Sequence, residues 1–301
     1  MSFDVVSIGS GVLDVLLRSS QFTITPVHEE LMLCEMYGGK QNVEDAVLAS
    51  GGAGTNTAVS FARQGLKTAC IVELGIDVPA QIIVDDLIKE KVDRSLLVHR
   101  EGERTGISAV LVANDGSRTA LTFRGAAHHL TKENIPFDTL KGVKAIHLSS
   151  IGNTQVILAI MQFCKLNTIF LSWNPSKMEA EDVFLRAPNK QELFTDVLFV
   201  NDSEWKGIAS QETLVRQVAK TIVITKGKDG GQTLSTSGDS SYQAEKLENV
   251  VDETGAGDAF AAGYTGSILR GKSHEEALSF AIDNATGVVM QMGAKAGLLQ
   301  L

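Results

Sequence analysis

Short apolar runs alternate with longer segments of helical character along most of the chain. The apolar runs predict buried strands over residues 4–8, 68–74, 145–148, 168–171, 197–200 and 221–225. The longer segments predict helices over residues 56–64, 79–91, 154–166, 256–270 and 273–292. Strands that alternate with helices usually pair in parallel. The pattern therefore predicts an α/β fold, a doubly wound, mostly parallel sheet with helices on both faces.

Two segments, residues 21–50 and 105–124, interrupt this alternation. Within the second, apolar runs at 107–112 and 119–123 flank Asn114-Asp115-Gly116, a sequence that favours the tight turn of a β-hairpin. The first segment shows no clean two-residue period. Both are expected to lie outside the main sheet.

Composition and charge narrow the functional classes. With 301 residues and 44% hydrophobic content, the chain is expected to form a single domain, residues 1–301, around one large core. A formal net charge of -9 gives no basic footprint for nucleic acid or for an anionic membrane. Because no apolar run approaches the roughly 20 residues of a membrane span and no leader pattern precedes the first strand, we expect a cytoplasmic protein. The three cysteines show no CxxC pairing and are assigned no chemistry.

The most informative segment is residues 251–260, where small residues precede a predicted helix. Gly255, Ala256 and Gly257 would present their N–H groups at the positive end of that helix, which is an anion site. Asp258 in the first turn would lie beside the bound anion, where it could accept a proton from an attacking hydroxyl. The structural alternative is an ordinary N-terminal cap.

Residues 266–273 match the P-loop pattern GxxxxGK[ST], but their context contradicts a phosphate-binding loop. A P-loop follows a strand and opens a helix, whereas residues 260–270 are already helical by composition. Gly271 instead suits a helix C-cap, and Ser273 with Glu276 forms a capping-box pattern for the next helix. We therefore reject a P-loop NTPase.

Two long segments resemble the signatures of the ribokinase-like (PfkB) kinases of sugars and nucleosides. DETGAGDAF at 252–260 is similar to their C-terminal signature, and SGGAGTNTA at 50–58, closed by Gly65, is similar to their N-terminal one. The resemblance extends from Gly9 to about Gly297. It implies ATP-dependent phosphorylation of a hydroxyl, with Asp258 as general base and an anion hole at Gly255, Ala256 and Gly257. It also implies a small β lid, built from about 21–50 and 105–124, and a homodimer formed through that lid.

The resemblance also assigns binding residues. For the acceptor it implies Asp14, Gly51, Gly52, Asn56 and, in the Asn-Pro turn, Asn174. For the nucleotide and Mg²⁺ it implies Asn201, Glu204, Thr225, Gly227 and Gly230. Ribokinases proper carry a lysine where this chain has Ala53, so ribose is not specifically indicated.

Many members of the resembled family bind a monovalent cation beside the anion hole. Asp252 and Thr254 match that pattern, and the late loop would supply carbonyls at Val288, Gln291 and Gly293. A serine expected near the end of that loop is replaced by Gly297. The implied cofactors are therefore ATP, Mg²⁺ and K⁺.

Three functions stay open at this point. A small sugar is the favoured acceptor, because the lid segments offer only Phe22, Tyr37 and Phe123 for stacking on a base. A nucleoside kinase on the same fold and a non-catalytic sugar-binding sensor are the alternatives. Asp258 argues against the sensor, since a site without catalysis has no need for a carboxylate beside an anion.

Overall fold

The structure is a computed structural model that describes residues 2–28, 30–113, 117–187 and 190–301. The predicted turn Asn114-Asp115-Gly116 lies outside the described residues.

The strands are β1 (Val5–Ile8), β2 (Val12–Arg18), β3 (Thr23–Val27), β4 (Glu30–Cys34), β5 (Asp45–Gly51), β6 (Thr68–Ile71), β7 (Glu73–Leu74), β8 (Val98–His99), β9 (Gly106–Val112), β10 (Arg118–Phe123), β11 (Ala145–Ser149), β12 (Phe170–Asn174), β13 (Thr195–Asn201), β14 (Ala219–Thr225), β15 (Gly231–Ser235) and β16 (Ser240–Tyr242). The helices are α1 (Ala53–Arg63), α2 (Val78–Lys89), α3 (Phe137–Leu140), α4 (Thr154–Asn167), α5 (Lys177–Glu181), α6 (Asp202–Ile208), α7 (Glu212–Val218), α8 (Ala256–Leu269) and α9 (His274–Val289).

The main sheet has eight strands in the order β16-β15-β14-β13-β12-β11-β1-β6. Neighbours from β14 to β6 pair in parallel, and β15 and β16 add an antiparallel edge. This confirms the predicted doubly wound, mostly parallel sheet. The predicted strand over 68–74 is divided, because the chain leaves the main sheet after Ile71 and Glu73–Leu74 pairs with β8 instead.

Alternate residues of the central strands pack against helices on opposite faces. Val197, Phe199 and Val223 contact α8 and α9 in one cluster of buried side chains. Leu198, Val200, Ile222 and Ile224 belong to the larger cluster that includes α4. This two-residue period within strands covered on both sides explains why the strands appear in the sequence as continuous apolar runs. Of the helices that the structure describes, none is long and apolar enough to cross a membrane.

A second, smaller sheet has the order β10-β9-β2-β5. Its β9 and β10 form the antiparallel hairpin that the sequence predicts, and β9 alternates buried and half-buried residues. The sheet also contains β2, which the sequence analysis assigned neither to a predicted strand nor to the two irregular segments. Residues of β3 and β4 pair with each other in a separate hairpin.

The segment that matches a P-loop pattern is a helix end followed by a helix start. Gly266 lies inside α8, and Gly271 follows its last turn with a φ of 80°. Ser273 and Glu276 form a reciprocal capping box at the start of α9. The predicted structural roles of these residues are confirmed.

Candidate active site

The glycine turn before α8 has a conformation that requires glycine. Gly255 is the N-cap of α8 with a φ of 79°, and a side chain there would begin 2.4 Å from Cβ of Ala294. The first N–H groups of a helix have no intrahelical partner, so the amide of Gly257 is a candidate for anion binding. The N–H of Ala256, the other predicted donor, points to the carbonyl of Glu253 over 3.3 Å. Apart from its chain neighbours and the backbone of α8, no described residue has a heavy atom within 4 Å of the point where a side chain of Gly257 would begin, which leaves this turn open.

A second glycine turn positions the start of α1 beside it. Gly52 has a φ of 90°, and the N–H of Gly54 donates to the carbonyl of Ser10 over 3.0 Å. One turn into α1, Nδ2 of Asn56 donates to Oδ2 of Asp258 over 2.9 Å. Oδ1 of Asn56 is buried and has no hydrogen-bond partner among the described residues. The two signatures therefore meet at an amide–carboxylate pair with one free acceptor oxygen.

Asp14 enters the same region from β2 of the smaller sheet. It is 6% exposed and lies opposite Ala49 in the pairing of β2 with β5. Its carboxylate occupies the space next to Gly51, where a side chain would begin only 1.8 Å from Oδ2 of Asp14. Gly51 is therefore the residue that makes room for this carboxylate.

Both carboxylates are harder to ionise than ordinary aspartates. Burial raises the pKa of Asp258 to about 6, although the hydrogen bond from Asn56 opposes this change. Burial likewise raises the pKa of Asp14 to about 6, with the nearby charge of Lys295 opposing it. A carboxylate with a pKa near 6 is a better proton acceptor than an exposed one and is still ionised at neutral pH.

A cavity of about 650 Å³ is lined in part by the glycine turn at the start of α8, which is the predicted anion-binding turn. Five residues predicted from the sequence line it: Thr225, Gly227, Gly230, Ala256 and Gly257. Gly227 and Gly230 both have positive φ, and a side chain at Gly230 would begin 2.1 Å from the carbonyl oxygen of Tyr242. The structure thus brings the predicted nucleotide turn and the start of α8 to one cavity.

The cavity also contains residues that the sequence analysis missed. Tyr242 on the edge strand β16 stacks on Phe260, with ring centroids 5.7 Å apart, and its buried hydroxyl has no partner among the described residues. Arg118, at the start of β10, lines the cavity with Nη1 3.7 Å from Oε2 of Glu253. Neither residue lies in a recognisable motif. β16 is three residues long, so its apolar period gives no signal.

The remaining residues predicted for the nucleotide and the acceptor turn do not line this cavity. Asn201 ends β13 directly opposite Thr225, and Asn174 ends β12. Asn201 and Glu204 form a reciprocal capping box at the start of α6, with the Asn201 N–H 2.7 Å from Oε2 of Glu204. Each side chain thus accepts the backbone N–H of the other residue, and neither side chain lies in the cavity wall.

Of the predicted cation residues, Thr254 and Gly293 contact Asp252, which is fully buried. Its Oδ1 accepts hydrogen bonds from the backbone and hydroxyl of Thr254, and its Oδ2 accepts the N–H of Gly293 over 2.9 Å. The carbonyl of Val288 accepts the N–H of Gln291 at the end of α9. Gly297 lies against α9, and a side chain there would begin 1.8 Å from the carbonyl oxygen of Gly287. A serine does not fit at this position.

The chain is similar to known proteins in both sequence and fold. The profile of the pfkB family carbohydrate kinases matches residues 4–300. The chain is 24% identical over 289 residues to a ribokinase from Staphylococcus aureus, covering 90% of this chain and 93% of that one. It is 25% identical over 257 residues to a nucleoside kinase from Methanothermobacter thermautotrophicus, covering 82% and 81%. The crystal structure of ribokinase from Thermotoga maritima has a TM-score of 0.79 at 20% identity, covering 99% of this chain and 96% of that one.

Proposed function

The chain belongs to the pfkB family of carbohydrate kinases, and we propose that it transfers the γ-phosphoryl group of ATP to a hydroxyl of a small sugar. The observation that carries this proposal is the contact between Asn56 and Asp258, which joins the two signatures beside Asp14. A kinase of sugars or nucleosides needs a proton acceptor, hydroxyl-binding groups and an anion site within reach of one another.

In the proposed reaction, Asp258 accepts the proton of the acceptor hydroxyl. The oxygen of that hydroxyl bonds to the γ-phosphorus of ATP, and the bond between the γ-phosphorus and the leaving oxygen of ADP breaks. Asn56 keeps the carboxylate of Asp258 in place, and its free Oδ1 accepts a hydrogen bond from the sugar. Asp14, whose carboxylate lies against Gly51, accepts hydrogen bonds from two further hydroxyls of the sugar. The amides at Gly255, Ala256 and Gly257 stabilise the transferring group.

ATP would occupy the 650 Å³ cavity, with its adenine near Tyr242 and its phosphates approaching Gly257. Arg118, which now pairs with Glu253, is close enough to reach those phosphates. Mg²⁺ supplies charge neutralisation of the phosphates when it is bound. Glu204 fits a position beside its water shell, because burial raises the pKa of Glu204 and a nearby cation would offset that cost. Asn201 would orient that carboxylate.

K⁺ is a further part of the proposal. Asp252, Thr254 and the carbonyls of Val288, Gln291 and Gly293 would hold it beside the anion-binding turn. The support is the bond from Gly293 to Asp252, which brings the late loop to the signature. Gly297 contributes no side-chain oxygen, so the ligands would be backbone carbonyls.

A sugar is favoured over a nucleoside because the aromatic side chains offered by the lid segments are not arranged to stack on a base. The ring of Phe123 faces the guanidinium of Arg104 at 5.0 Å, and Tyr37 is fully exposed. A nucleoside kinase remains the second candidate, since one of the relatives is named a nucleoside kinase. The ionisable Asp258 paired with Asn56 disfavours a non-catalytic sensor.

The direct test is ADP release from ATP and Mg²⁺, with and without K⁺, across pentoses, hexoses, sugar phosphates and nucleosides. We expect turnover with one class of sugar and stimulation by K⁺. Turnover with nucleosides alone would replace the sugar by the second candidate. If no compound of the panel caused ADP release but sugars still stabilised the protein against thermal unfolding, the protein would be a non-catalytic sugar sensor.

Activity is expected to fall as the pH drops through about 6. The pKa of Asp258 is raised to about 6, so below that pH the carboxyl group is protonated and cannot act as a base. Asp14 titrates in the same range, so the acid limb of kcat/KM reports the pair rather than one residue. We expect kcat/KM to be about tenfold or more lower at pH 5 than at pH 7.5. A flat profile down to pH 5, with the fold intact by circular dichroism, would contradict this assignment.

The smaller sheet is proposed to close over the sugar as a lid and to join two subunits. Leu48, Val15, Ala109 and Leu121 are opposite one another in register, so they form one apolar row across a single face of the sheet. The two ends of this row, Leu48 and Leu121, are 62% and 63% exposed. An exposed apolar row on a sheet is a common protein–protein contact.

We therefore expect a dimer by light scattering at micromolar concentration, and a monomer for Leu121→Asp. The control is Leu166→Asp, which places the same charge at a 76% exposed leucine on α4. A monomeric parent protein, or a dimer that survives Leu121→Asp, would rule out this interface.

A further inference from the structure

Lys295 has a buried ammonium group that the proposed reaction does not use. The residue is 8% exposed, and its Nζ donates to Oγ of Ser50 over 2.7 Å and to Oδ2 of Asp86 over 2.9 Å. Lysine is rarely buried, because removing the charge from water is costly unless partners compensate. No pattern in the sequence marks this residue.

The backbone around Lys295 contacts both halves of the site. We call residues 293–295 the C-terminal clasp. The N–H of Gly293 donates to Asp252 at the start of the C-terminal signature, and Ala294 packs against Gly255 in the anion-binding turn. The carbonyl of Lys295 accepts Nη1 of Arg63 at the end of α1 over 2.9 Å.

The side chain of Lys295 extends from the clasp to the acceptor half. Ser50 directly precedes Gly51 and Gly52, the turn that makes room for Asp14 and begins α1. Asp86 belongs to α2, which packs against β2 and β5. One ammonium group therefore connects the clasp, the end of β5 and a helix of the main domain.

The ammonium group lies among negative or ionisable groups from several elements. Those that interact with its charge are Asp86 of α2, Asp14 of β2, Cys70 of β6 and Asp258 of α8. The guanidinium of Arg63, which binds the carbonyl of Lys295, is itself paired with Glu90. The positive charge lowers the pKa of both Asp14 and Asp258, against the larger effect of burial. Burial lowers the pKa of Lys295 itself, and Asp86 opposes that change.

We propose that Lys295 is a positioning residue of this kinase: it holds the acceptor turn at Ser50 against the clasp behind the anion-binding turn and supplies the positive charge opposite Asp14 and Asp258. This inference rests on the proposed function. A purely structural contact at this position could be made by an apolar side chain of similar length. The proposed role explains why the side chain carries a charge instead.

The test is the pH dependence of kcat/KM in Lys295→Met, which keeps the side-chain length and removes the charge. We expect the acid limb to move upward by about one pH unit. Activity at pH 6.5 should then fall about threefold more than activity at pH 8.5 if one carboxylate governs the limb, and about tenfold more if both must be ionised. Asp86→Asn is the matched control, because it breaks the same ion pair but leaves the lysine in place. Its acid limb should stay near that of the parent protein even if its thermal stability falls.

Lys295→Arg is the variant to measure if Lys295→Met does not fold. Because arginine retains the positive charge, its acid limb should lie at the same pH as that of the parent protein. An unmoved acid limb in Lys295→Met, a displaced one in Lys295→Arg, or an equal displacement in Asp86→Asn would overturn the proposal. Hydrogen exchange provides a readout that does not need turnover. The amides of residues 50–56 should exchange faster in Lys295→Met, and unchanged exchange would also count against the inference. A parent protein inactive on every acceptor would instead contradict the proposed function.

Discussion

Turnover by Asp258→Asn is expected to be about 10²–10⁴-fold lower than that of the parent protein, because the amide cannot accept the proton of the attacking hydroxyl. Asparagine has nearly the same shape and can still contact Asn56, so the fold and the nucleotide cavity should be unchanged. The measurement is the rate of ADP formation at saturating ATP and acceptor. ATP affinity, measured by calorimetry, should stay within about twofold because ATP binding does not require this base.

The control for this variant is Asp283→Asn, which makes the same change at an exposed position of α9. We expect it to retain full turnover. If Asp258→Asn retained more than a tenth of parental turnover, another group would have to be the base.

Gly51→Ala is expected to abolish productive acceptor binding without unfolding the protein. The new Cβ would begin 1.8 Å from Oδ2 of Asp14, and the aspartate side chain can avoid it by rotating away. The carboxylate would then be unavailable to the acceptor. Losing hydrogen bonds to a charged group worth about 3 kcal/mol corresponds to about a 100-fold lower kcat/KM for the acceptor. Nucleotide binding should be preserved, because Gly51 does not line the cavity.

Gly142→Ala is the matched control for this steric effect. Beyond its chain neighbours, no residue in the described part of the chain has a heavy atom within 4 Å of the point where its side chain would begin, so the same substitution should leave kcat/KM unchanged. Acceptor kinetics of Gly51→Ala within about threefold of the parent protein would mean that Asp14 does not bind the acceptor in this position.

The fold of the main sheet could be predicted because its strands are buried on both faces. Every residue of β1 and β11 is buried and most of them are apolar, and the helices between the strands give a regular alternation. β2 was missed as part of the smaller sheet because Asp14 and Arg18 interrupt its apolar pattern. The short edge strands β15 and β16 were missed because half-exposed antiparallel strands carry a weak signal.

In the candidate site, too, some residues could be predicted from the sequence and others could not. Residues that act through backbone geometry, such as Gly51, Gly52 and Gly255, were visible because glycines at helix starts form a recognisable string. Lys295 and Tyr242 were not visible, because each enters the site from a segment without a motif. Their roles depend on tertiary distances, which a single sequence does not encode in its local pattern.

Asn56 and Asp258, which touch, are separated by 202 positions in the chain. During synthesis, the base of the proposed reaction therefore emerges only after most of the domain has been made, and the clasp follows later still. Nascent chains and fragments released by proteolysis before α8 would lack the base, so we expect them to be unable to consume ATP on the sugar. With the proposed base so late in the chain, the onset of activity would be coupled to the completion of folding.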